Sequence, residues 1–278
     1  MPSRSDERLI TPHLLREWPL PDPRGDKESR GTVLVVGGSK FNPGAVLLAG
    51  VAALRAGAGR LQMAVADESA VALSIAVPEA KVVGLSHSGD EVAELARKAD
   101  VVALGPGLDD IDQTTELMRS VLGAAGDDSA VVLDAYALGA LSKDSGLLRQ
   151  RRTVLTPNVT EAEYLLGRDP GDDLAAAALE LARRYQAVVS LYGHIADPDG
   201  GQWREESGDA GLGTSGSGDA RAGIVAGLLG RGADPAQAAC WAAFAHAVSG
   251  QRLAPRYGRI GFLARELVDE VAYTIATV

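Results

Sequence analysis

Short apolar runs recur along the chain, and stretches with helical spacing separate most of them. The run over residues 32–36 is rich in valine and is closed by Gly37 and Gly38, a pattern typical of a strand buried on both faces. The Ala/Leu-rich stretch 45–58 is closed by glycines and predicts a helix. The same reasoning predicts strands over 61–66, 81–85, 101–104, 131–134, 153–156 and 187–191, and helices over 91–98 and 174–185.

Strands that alternate with helices predict an α/β fold, in which helices flank a mostly parallel sheet with right-handed crossovers. Further along, Asp197-Pro198-Asp199-Gly200-Gly201 is a strong turn signal and predicts a β-hairpin between residues 194 and 203. From Asp219 onward the pattern predicts three more helices, over about 219–230, 235–250 and 261–276.

The first 30 residues differ from the rest because they are polar and Pro-rich, with charges of both signs. Thr11 followed by Pro12 is typical of a capped helical turn. The remainder of this segment is predicted to be an N-terminal arm. Since no linker or internal repeat interrupts the chain, we expect one domain over residues 1–278, with the arm over 1–30.

Glycine or polar residues follow several of the predicted strands. In open parallel sheets, ligands bind outside the carboxyl ends of the strands, so these residues predict a site there. One of the groups, Gly105-Pro106-Gly107, is equally typical of a tight turn when taken alone. The groups are Gly37-Gly38-Ser39, Gly105-Pro106-Gly107, Asp134, Thr156-Pro157-Asn158 and Gly193.

A Gly-rich loop over residues 212–218 leads directly into a helical pattern. A helix that begins after such a loop presents unpaired N–H groups and the positive end of its dipole, which suits a phosphate. Asp219 lies in the first helical turn, where a carboxylate could take a proton beside that anion. Two simpler interpretations stay open: Asp219 only caps the helix, and the loop is a plain connection.

Other titratable residues give weaker signals. Asp134 suits a general base, a Mg²⁺ ligand through water, or a helix cap. Glu161 and Glu163 lie early in a predicted helix, where acidic residues are favourable, and Glu161 is also a candidate for water-mediated metal binding. The four histidines lack zinc spacing, so we predict no direct metal ligands, and His246 is interpreted as a buried core histidine.

Composition narrows the function classes. The net charge of −10 argues against a nucleic-acid or anionic-membrane partner, whereas a small anionic substrate can still be held by local backbone dipoles. The single cysteine, Cys240, excludes an internal disulfide and lies in an Ala-rich run typical of a buried position. With no signal-peptide pattern and no long apolar run, we expect a cytoplasmic protein.

Taken together, the motifs resemble those of the ADP/ATP-dependent NAD(P)H-hydrate dehydratases, a branch of the ribokinase-like superfamily. The resemblance covers nearly all the chain from about residue 10, in the family's order. It is carried by residues 30–39, Pro43-Gly44-Ala45, residues 52–59, Gly105-Pro106-Gly107-Leu108, Leu155-Thr156-Pro157, and Gly216-Ser217-Gly218-Asp219 with Ala222-Gly223.

The resemblance implies a ribokinase-like three-layer sandwich and the repair of hydrated NADH and NADPH. In the family, ADP or ATP phosphorylates the ring hydroxyl, with Mg²⁺, and phosphate then leaves. Asp219 is implied as the base, and backbone N–H groups of Gly216, Ser217 and Gly218 as stabilisers of the transferred phosphoryl group. A homo-oligomer is also implied, with a tetramer as the candidate assembly. The implied hydrate-binding residues are Ala45, Gly107, Asn158 and Asp219, and the nucleotide-binding residues are Tyr192, Gly193, His194, Gly218 and Arg221.

Four positions depart from the family pattern. Asn158 replaces a histidine, Tyr192 a lysine, Tyr136 an aspartate, and Arg221 a small or apolar residue. Arg221 is a candidate to supply the charge lost with the lysine, unless it points to solvent. The departures leave two alternatives open: a ribokinase-like kinase of another small alcohol, and a degenerate family member that binds nucleotide without turnover.

Overall fold

A ten-stranded sheet runs through the computed structural model, which describes residues 7–22, 26–85, 89–148 and 151–278. The strands lie in the order β1-β10-β9-β8-β7-β6-β5-β2-β3-β4, and all neighbours from β8 to β4 are parallel. The strands are β1 Arg8–Leu9, β2 Thr32–Val36, β3 Arg60–Val65, β4 Ala80–Gly84, β5 Val101–Leu104, β6 Ala130–Leu133, β7 Thr153–Leu155, β8 Val188–Leu191, β9 His194–Ala196 and β10 Gln202–Arg204.

Helices cover both faces of this sheet. Residues of α2, α9, α10 and α11 contribute to the apolar core on one face, and residues of α4 to α8 to the core on the other. The helices are α1 Pro12–Glu17, α2 Gly44–Ala56, α3 Asp67–Ala76, α4 Gly89–Lys98, α5 Ile111–Ala124, α6 Tyr136–Lys143, α7 Val159–Leu166, α8 Leu174–Tyr185, α9 Ser217–Gly230, α10 Pro235–Tyr257 and α11 Ala264–Ala276. This arrangement confirms the predicted three-layer α/β fold.

Alternate residues of the central strands serve the two cores. In β2, Val33 and Val35 belong to one core, and Leu34 and Val36 to the other, and all four are fully buried. Successive side chains of a strand point to opposite faces, so a strand covered on both sides must be apolar throughout. The valine run at 32–36 is therefore a direct consequence of the three-layer arrangement.

Two helices pack with their backbones almost in contact, and this packing positions the site. A Cβ added to Gly223 of α9 would lie 2.1 Å from the Ala49 carbonyl oxygen of α2, and one added to Gly227 would lie 2.3 Å from that of Ala53. From the first contact to the second, both helices advance by four residues in the same direction, from Gly223 to Gly227 and from Ala49 to Ala53. Helices α2 and α9 therefore run parallel. Their N-termini therefore lie at the same end of the fold.

The element boundaries refine several predictions. The β-hairpin of β9 and β10 is confirmed, with the turn at 197–201 between its strands. Helix α9 begins at Ser217 rather than at Asp219, α10 continues to Tyr257, and α11 begins at Ala264. Helices α3, α5 and α6 were not among the predicted elements.

The N-terminal segment takes part in the fold. The predicted helical turn is confirmed as α1, and the Thr11 side chain accepts a hydrogen bond from the Leu14 N–H. Arg8 and Leu9 pair with β10, so this part of the predicted arm forms the edge of the sheet. We propose a single domain because one sheet takes strands from all four described ranges.

Candidate active site

The Gly-rich loop ends in a left-handed residue that starts α9. Gly216 has φ +85°, and a Cβ there would lie 2.4 Å from a methyl carbon of Leu48. A side chain is therefore excluded at this position by conformation and by space. A Cβ on Gly218 would meet nothing within 4 Å, so the backbone there faces open space. The Ser217 N–H donates to the Thr214 carbonyl oxygen at 3.2 Å, so an anion at this helix start would rely on the neighbouring N–H groups.

Asp134 and Glu161 act electrostatically on Asp219 at this helix start. Burial, followed by the charges of Asp134 and Glu161, raises the pKa of Asp219 to about 7. Burial, followed by the charge of Asp134, raises the pKa of Glu161 to about 7. A carboxyl group with a pKa near neutrality is suited to accept a proton at physiological pH. Asp219 therefore has the pKa expected of a candidate general base.

Asp134 is the most enclosed of the three carboxyl groups. Burial raises its pKa, and a hydrogen bond of 2.7 Å from the Thr156 hydroxyl opposes that effect. The following helix, α6, has Ala135 at its N-cap and no side-chain cap, so the cap interpretation of Asp134 is wrong. The side chain instead links the ends of β6 and β7.

Asn158 and Glu161 form a capping box at the start of α7. The Asn158 Oδ1 atom accepts a hydrogen bond of 2.9 Å from the Glu161 N–H, and the Glu161 carboxylate accepts one of 2.8 Å from the Asn158 N–H. This structural role of Glu161 agrees with its interpretation from sequence. The same hydrogen bonds hold Asn158 next to the carboxyl groups, where it was predicted to bind substrate.

Arg221 points inward rather than to solvent. Its Nη2 atom donates to the Thr156 carbonyl oxygen at 2.8 Å and, more weakly, to that of Pro157 at 3.4 Å. Its Nε atom is buried and has no hydrogen-bond partner among the described residues. Because its charge acts on both Asp134 and Glu161, the guanidinium partly compensates the carboxyl groups.

Ala45 and Gly107 are in direct contact at the start of α2. Gly107 has φ +71°, and a Cβ there would lie 2.9 Å from the Ala45 Cβ and 2.4 Å from the Asn42 carbonyl oxygen. The Ser39 N–H donates to the Gly107 carbonyl oxygen at 2.7 Å. The loops that follow β2 and β5 therefore meet here, as their positions after parallel strands predict.

A pocket of about 760 Å³ lies at the start of α9, where Ser217, Gly218 and Arg221 belong to its lining. All five predicted nucleotide-binding residues line it, so the structure brings this set together. Sequence reasoning missed its remaining walls, which come from the hairpin, from the loop before α9 and from one face of α10. These walls include Arg204, Glu205, Gly208, Asp209, Leu212, Gly213, Ala243, His246 and Ala247.

His246 supports the first residue of α9. Its Nε2 atom lies 2.8 Å from the Ser217 Oγ atom and 3.1 Å from the Ser217 carbonyl oxygen. A carbonyl oxygen only accepts, so Nε2 carries the proton in this arrangement. Burial, followed by the charge of Arg221, lowers the pKa of His246 to about 3. The prediction of a buried histidine is confirmed, and the structure adds that its partner is the anion loop.

Comparison with known proteins decides the family. A family model described as NAD(P)H-hydrate dehydratase matches residues 33–272. The chain belongs to this family. It is 44% identical to the ADP-dependent (S)-NAD(P)H-hydrate dehydratase of Xanthomonas campestris pv. campestris, and the match covers 95% of this chain and 94% of that protein. The chain is also 35% identical to the bifunctional NAD(P)H-hydrate repair enzyme Nnr of Moorella thermoacetica, of which it spans about half, 54%.

Solved structures of the NAD(P)H-hydrate dehydratase family and its superfamily share the fold. The ADP/ATP-dependent NAD(P)H-hydrate dehydratase of Bacillus subtilis, co-crystallised with ATP and Mg²⁺, superposes with a TM-score of 0.88, at 29% identity and 99% coverage of both chains. A ribokinase-like superfamily protein of Enterococcus faecalis superposes with a TM-score of 0.85, at 21% identity and 99% and 97% coverage. The ribokinase-like fold predicted from sequence is thereby confirmed.

Within this NAD(P)H-hydrate dehydratase fold, the described residues hold no group of three or more His, Cys, Asp or Glu side chains arranged to bind a metal ion. Mg²⁺ in nucleotide enzymes is held by one or two carboxylates together with phosphates and water, so it does not require such a group of three protein ligands. Cys240 is fully buried, as predicted. In the same described ranges, every helix is too short or too polar to cross a membrane.

Proposed function

We propose that this chain dehydrates hydrated NADH and NADPH at the expense of ADP or ATP. The observation that carries the proposal is Asp219 in the first turn of α9, where burial and the charges of Asp134 and Glu161 raise its pKa to about 7. Gly218, the residue before it, lines the pocket of about 760 Å³, whereas Asp134, Glu161 and Asp219 are not among the lining residues of that pocket. Membership of the family supports the choice of substrate.

The hydrate would lie on the side of the three carboxyl groups. Gly107 and Ala45 are buried and in contact, so they would border the ring only through backbone atoms and one methyl group. Asn158 is held by its capping box beside Glu161 and would contact the same substrate. Asp219 would accept the proton of the ring hydroxyl.

The nucleotide would occupy the pocket of about 760 Å³. Its phosphates would bind at the N–H groups of Gly216 and Gly218, where the open space beside Gly218 leaves room for them, while the Ser217 N–H donates to the Thr214 carbonyl oxygen. The turn at Tyr192, Gly193 and His194 would contact the rest of the nucleotide. Mg²⁺, when bound with the phosphates, would neutralise part of their charge.

Arg221 would provide the fixed positive charge at the phosphate end. Its guanidinium lines the pocket and is anchored on the Thr156 carbonyl oxygen. The buried Nε atom without a partner supports this role, because an orphaned donor in a site calls for an acceptor. Arginine suits phosphate because its planar fork presents several donors at once.

The proposed reaction has two steps, phosphorylation of the hydrate and elimination of phosphate. First, the hydroxyl oxygen of the hydrate attacks the terminal phosphorus, its proton passes to Asp219, and the shortened nucleotide leaves. Second, the carbon–oxygen bond of the phosphate ester breaks, inorganic phosphate leaves, and loss of a neighbouring ring proton restores the dihydronicotinamide. Preorganised N–H donors at the helix start stabilise charge on the transferred group.

The test is a coupled assay on the purified protein. With hydrated NADH, ADP or ATP, and Mg²⁺, we expect the absorbance of reduced nicotinamide to return, with one inorganic phosphate released per ring restored. A stable phosphorylated product without absorbance recovery would favour the kinase alternative. Nucleotide binding without any turnover would favour the degenerate binder, and either result would contradict the proposal.

We also propose that the chain acts in the cytoplasm as a homo-oligomer, with a tetramer as the candidate assembly. Ile260, Leu263 and Tyr273, in the C-terminal third, are exposed apolar side chains suited to an interface between copies. Light scattering coupled to size-exclusion chromatography measures the mass directly. A mass of one chain at micromolar concentration would contradict the oligomer.

A further inference from the structure

The turn between β8 and β9 has an unusual residue. Leu191 pairs with His194, so the turn contains only Tyr192 and Gly193. Both have positive φ, +47° and +90°. Two-residue turns of this type strongly prefer Asn-Gly or Gly-Gly, because a bulky side chain is disfavoured in the left-handed region. The tyrosine is therefore held in a conformation that its own side chain opposes.

The surrounding structure fixes this turn firmly. The Glu205 N–H donates to the Gly193 carbonyl oxygen at 2.8 Å, and a Cβ on Gly193 would lie 2.8 Å from the Glu205 carbonyl oxygen. Strained residues persist where neighbouring contacts determine the backbone, and they cluster at functional sites. Tyr192 differs from Ala135 and Gln186, which also have positive φ, because it lines a pocket, and this position favours a function for its side chain.

The Tyr192 side chain lies at the rim of the nucleotide pocket. The residue is 74% exposed, and it lines the pocket together with the small residues Ala243 and Ala247 of α10. The phosphate end of the same pocket is marked by Gly218. A pocket with an anion site, an uncovered aromatic ring and small side chains on a helix face suits a planar base attached to phosphates.

We infer that the Tyr192 ring is the stacking platform for the base of the bound nucleotide, and that the strained turn is retained because it holds the ring at the pocket rim. This inference rests on the proposed function, since it takes a nucleoside phosphate as the ligand. It assigns Tyr192 to the base rather than to the phosphates, whose charge a neutral phenol would not balance.

The test compares Tyr192→Asn with a matched control, Gln186→Asn. Gln186 also has positive φ, +49°, but it ends α8, is exposed and does not line the pocket. Asparagine is tolerated in the left-handed region, so both variants are expected to fold with a thermal midpoint equal to or above that of the unsubstituted protein. Tyr192→Phe keeps the ring and serves as the conservative variant.

Binding is measured by calorimetry with two probes, ADP and inorganic pyrophosphate. We expect Tyr192→Asn to weaken ADP binding about tenfold, the scale of one lost stacking contact, and to leave pyrophosphate binding unchanged. Gln186→Asn and Tyr192→Phe should bind ADP within about twofold of the unsubstituted protein.

Three results would overturn the inference. If Tyr192→Asn binds ADP as tightly as the unsubstituted protein, the ring is not a platform. If it loses affinity for pyrophosphate as much as for ADP, the side chain acts on the phosphates. If the unsubstituted protein binds no ADP, the proposed function fails together with the inference, which distinguishes that case from the first two.

Discussion

The two sides of the α9 N-terminus differ in both shape and charge. On the side that we propose for the nucleotide, the lining of a pocket of about 760 Å³ includes the small residues Ala243 and Ala247, and a Cβ on Gly218 would meet nothing within 4 Å. On the side that we propose for the hydrate, the charges of Asp134 and Glu161 add to burial in raising the pKa of Asp219. The first side has room for a large anion, and the second holds interacting carboxyl groups.

Phosphoryl transfer has two requirements, one for the phosphates and one for the acceptor hydroxyl, and each side of the helix start suits one of them. The phosphates need N–H donors and space, whereas the acceptor hydroxyl needs a base that is free of a permanent cation. We propose Asp219 for the second role, because burial and like charges raise its pKa and the Arg221 charge acts on Asp134 and Glu161. The two sides meet at the start of α9, where Gly218 lines the pocket and the next residue, Asp219, interacts with Asp134 and Glu161.

Loss of the base should have the largest effect. We expect Asp219→Asn to lower the turnover of hydrated NADH about 10³-fold, the contribution of a positioned general base. Its thermal midpoint at pH 8 should be unchanged or higher, because asparagine removes a carboxylate that burial disfavours. Turnover within tenfold of the unsubstituted enzyme would show that another group takes the proton.

A pair of glycine substitutions sharpens the contrast on the nucleotide side. Gly216→Ala should lower the free energy of unfolding by about 1–3 kcal/mol, because φ is +85° and the new methyl would meet Leu48. Gly218→Ala should fold with at least the original stability, since nothing lies within 4 Å and alanine favours a helix.

The functional readout of this pair is the KM for the nucleotide. For Gly218→Ala we expect an increase of about tenfold, because the methyl enters the space above the anion loop. Chemical denaturation measures the stability of both variants. An unchanged nucleotide KM in Gly218→Ala, with a folded protein, would place the phosphates elsewhere.

A smaller effect tests the charge coupling on the hydrate side. The activity should rise with pH through about 7, because Asp219 must lose its proton to act as a base. Glu161→Gln removes one like charge while its amide oxygen can still accept from the Asn158 N–H. We expect the rising limb of the kcat profile to move down by roughly half to one pH unit. An unmoved limb would show that Glu161 does not influence the base.

The sheet could be predicted from sequence more completely than the helices. The central strands are buried on both faces, so each appears as an uninterrupted apolar run such as 32–36. Helix α3 buries only Ser69 and Leu73, which gives almost no apolar stripe to detect. Helix α5 is different, because its buried positions 114, 118, 121 and 122 follow helical spacing, and this signal was present but missed.

The site was predictable as a set of residue types but not as an electrostatic environment. The glycines and Asp219 were found because their pattern is local. The pKa of Asp219 depends on Asp134 and Glu161, which come from two other elements, and only the fold brings them together. His246 shows the same limit, since its burial follows from the Ala-rich pattern but its contact with Ser217 does not.

The central claim is that the fold holds Asp219 as a carboxyl group with a pKa near neutrality. An NMR titration of the aspartate side-chain carboxyl carbons measures this directly, with the Asp219 signal assigned by its absence in Asp219→Asn. The account predicts a midpoint of about 7 for that signal. A midpoint near 3.8, the ordinary value for aspartate, would contradict it.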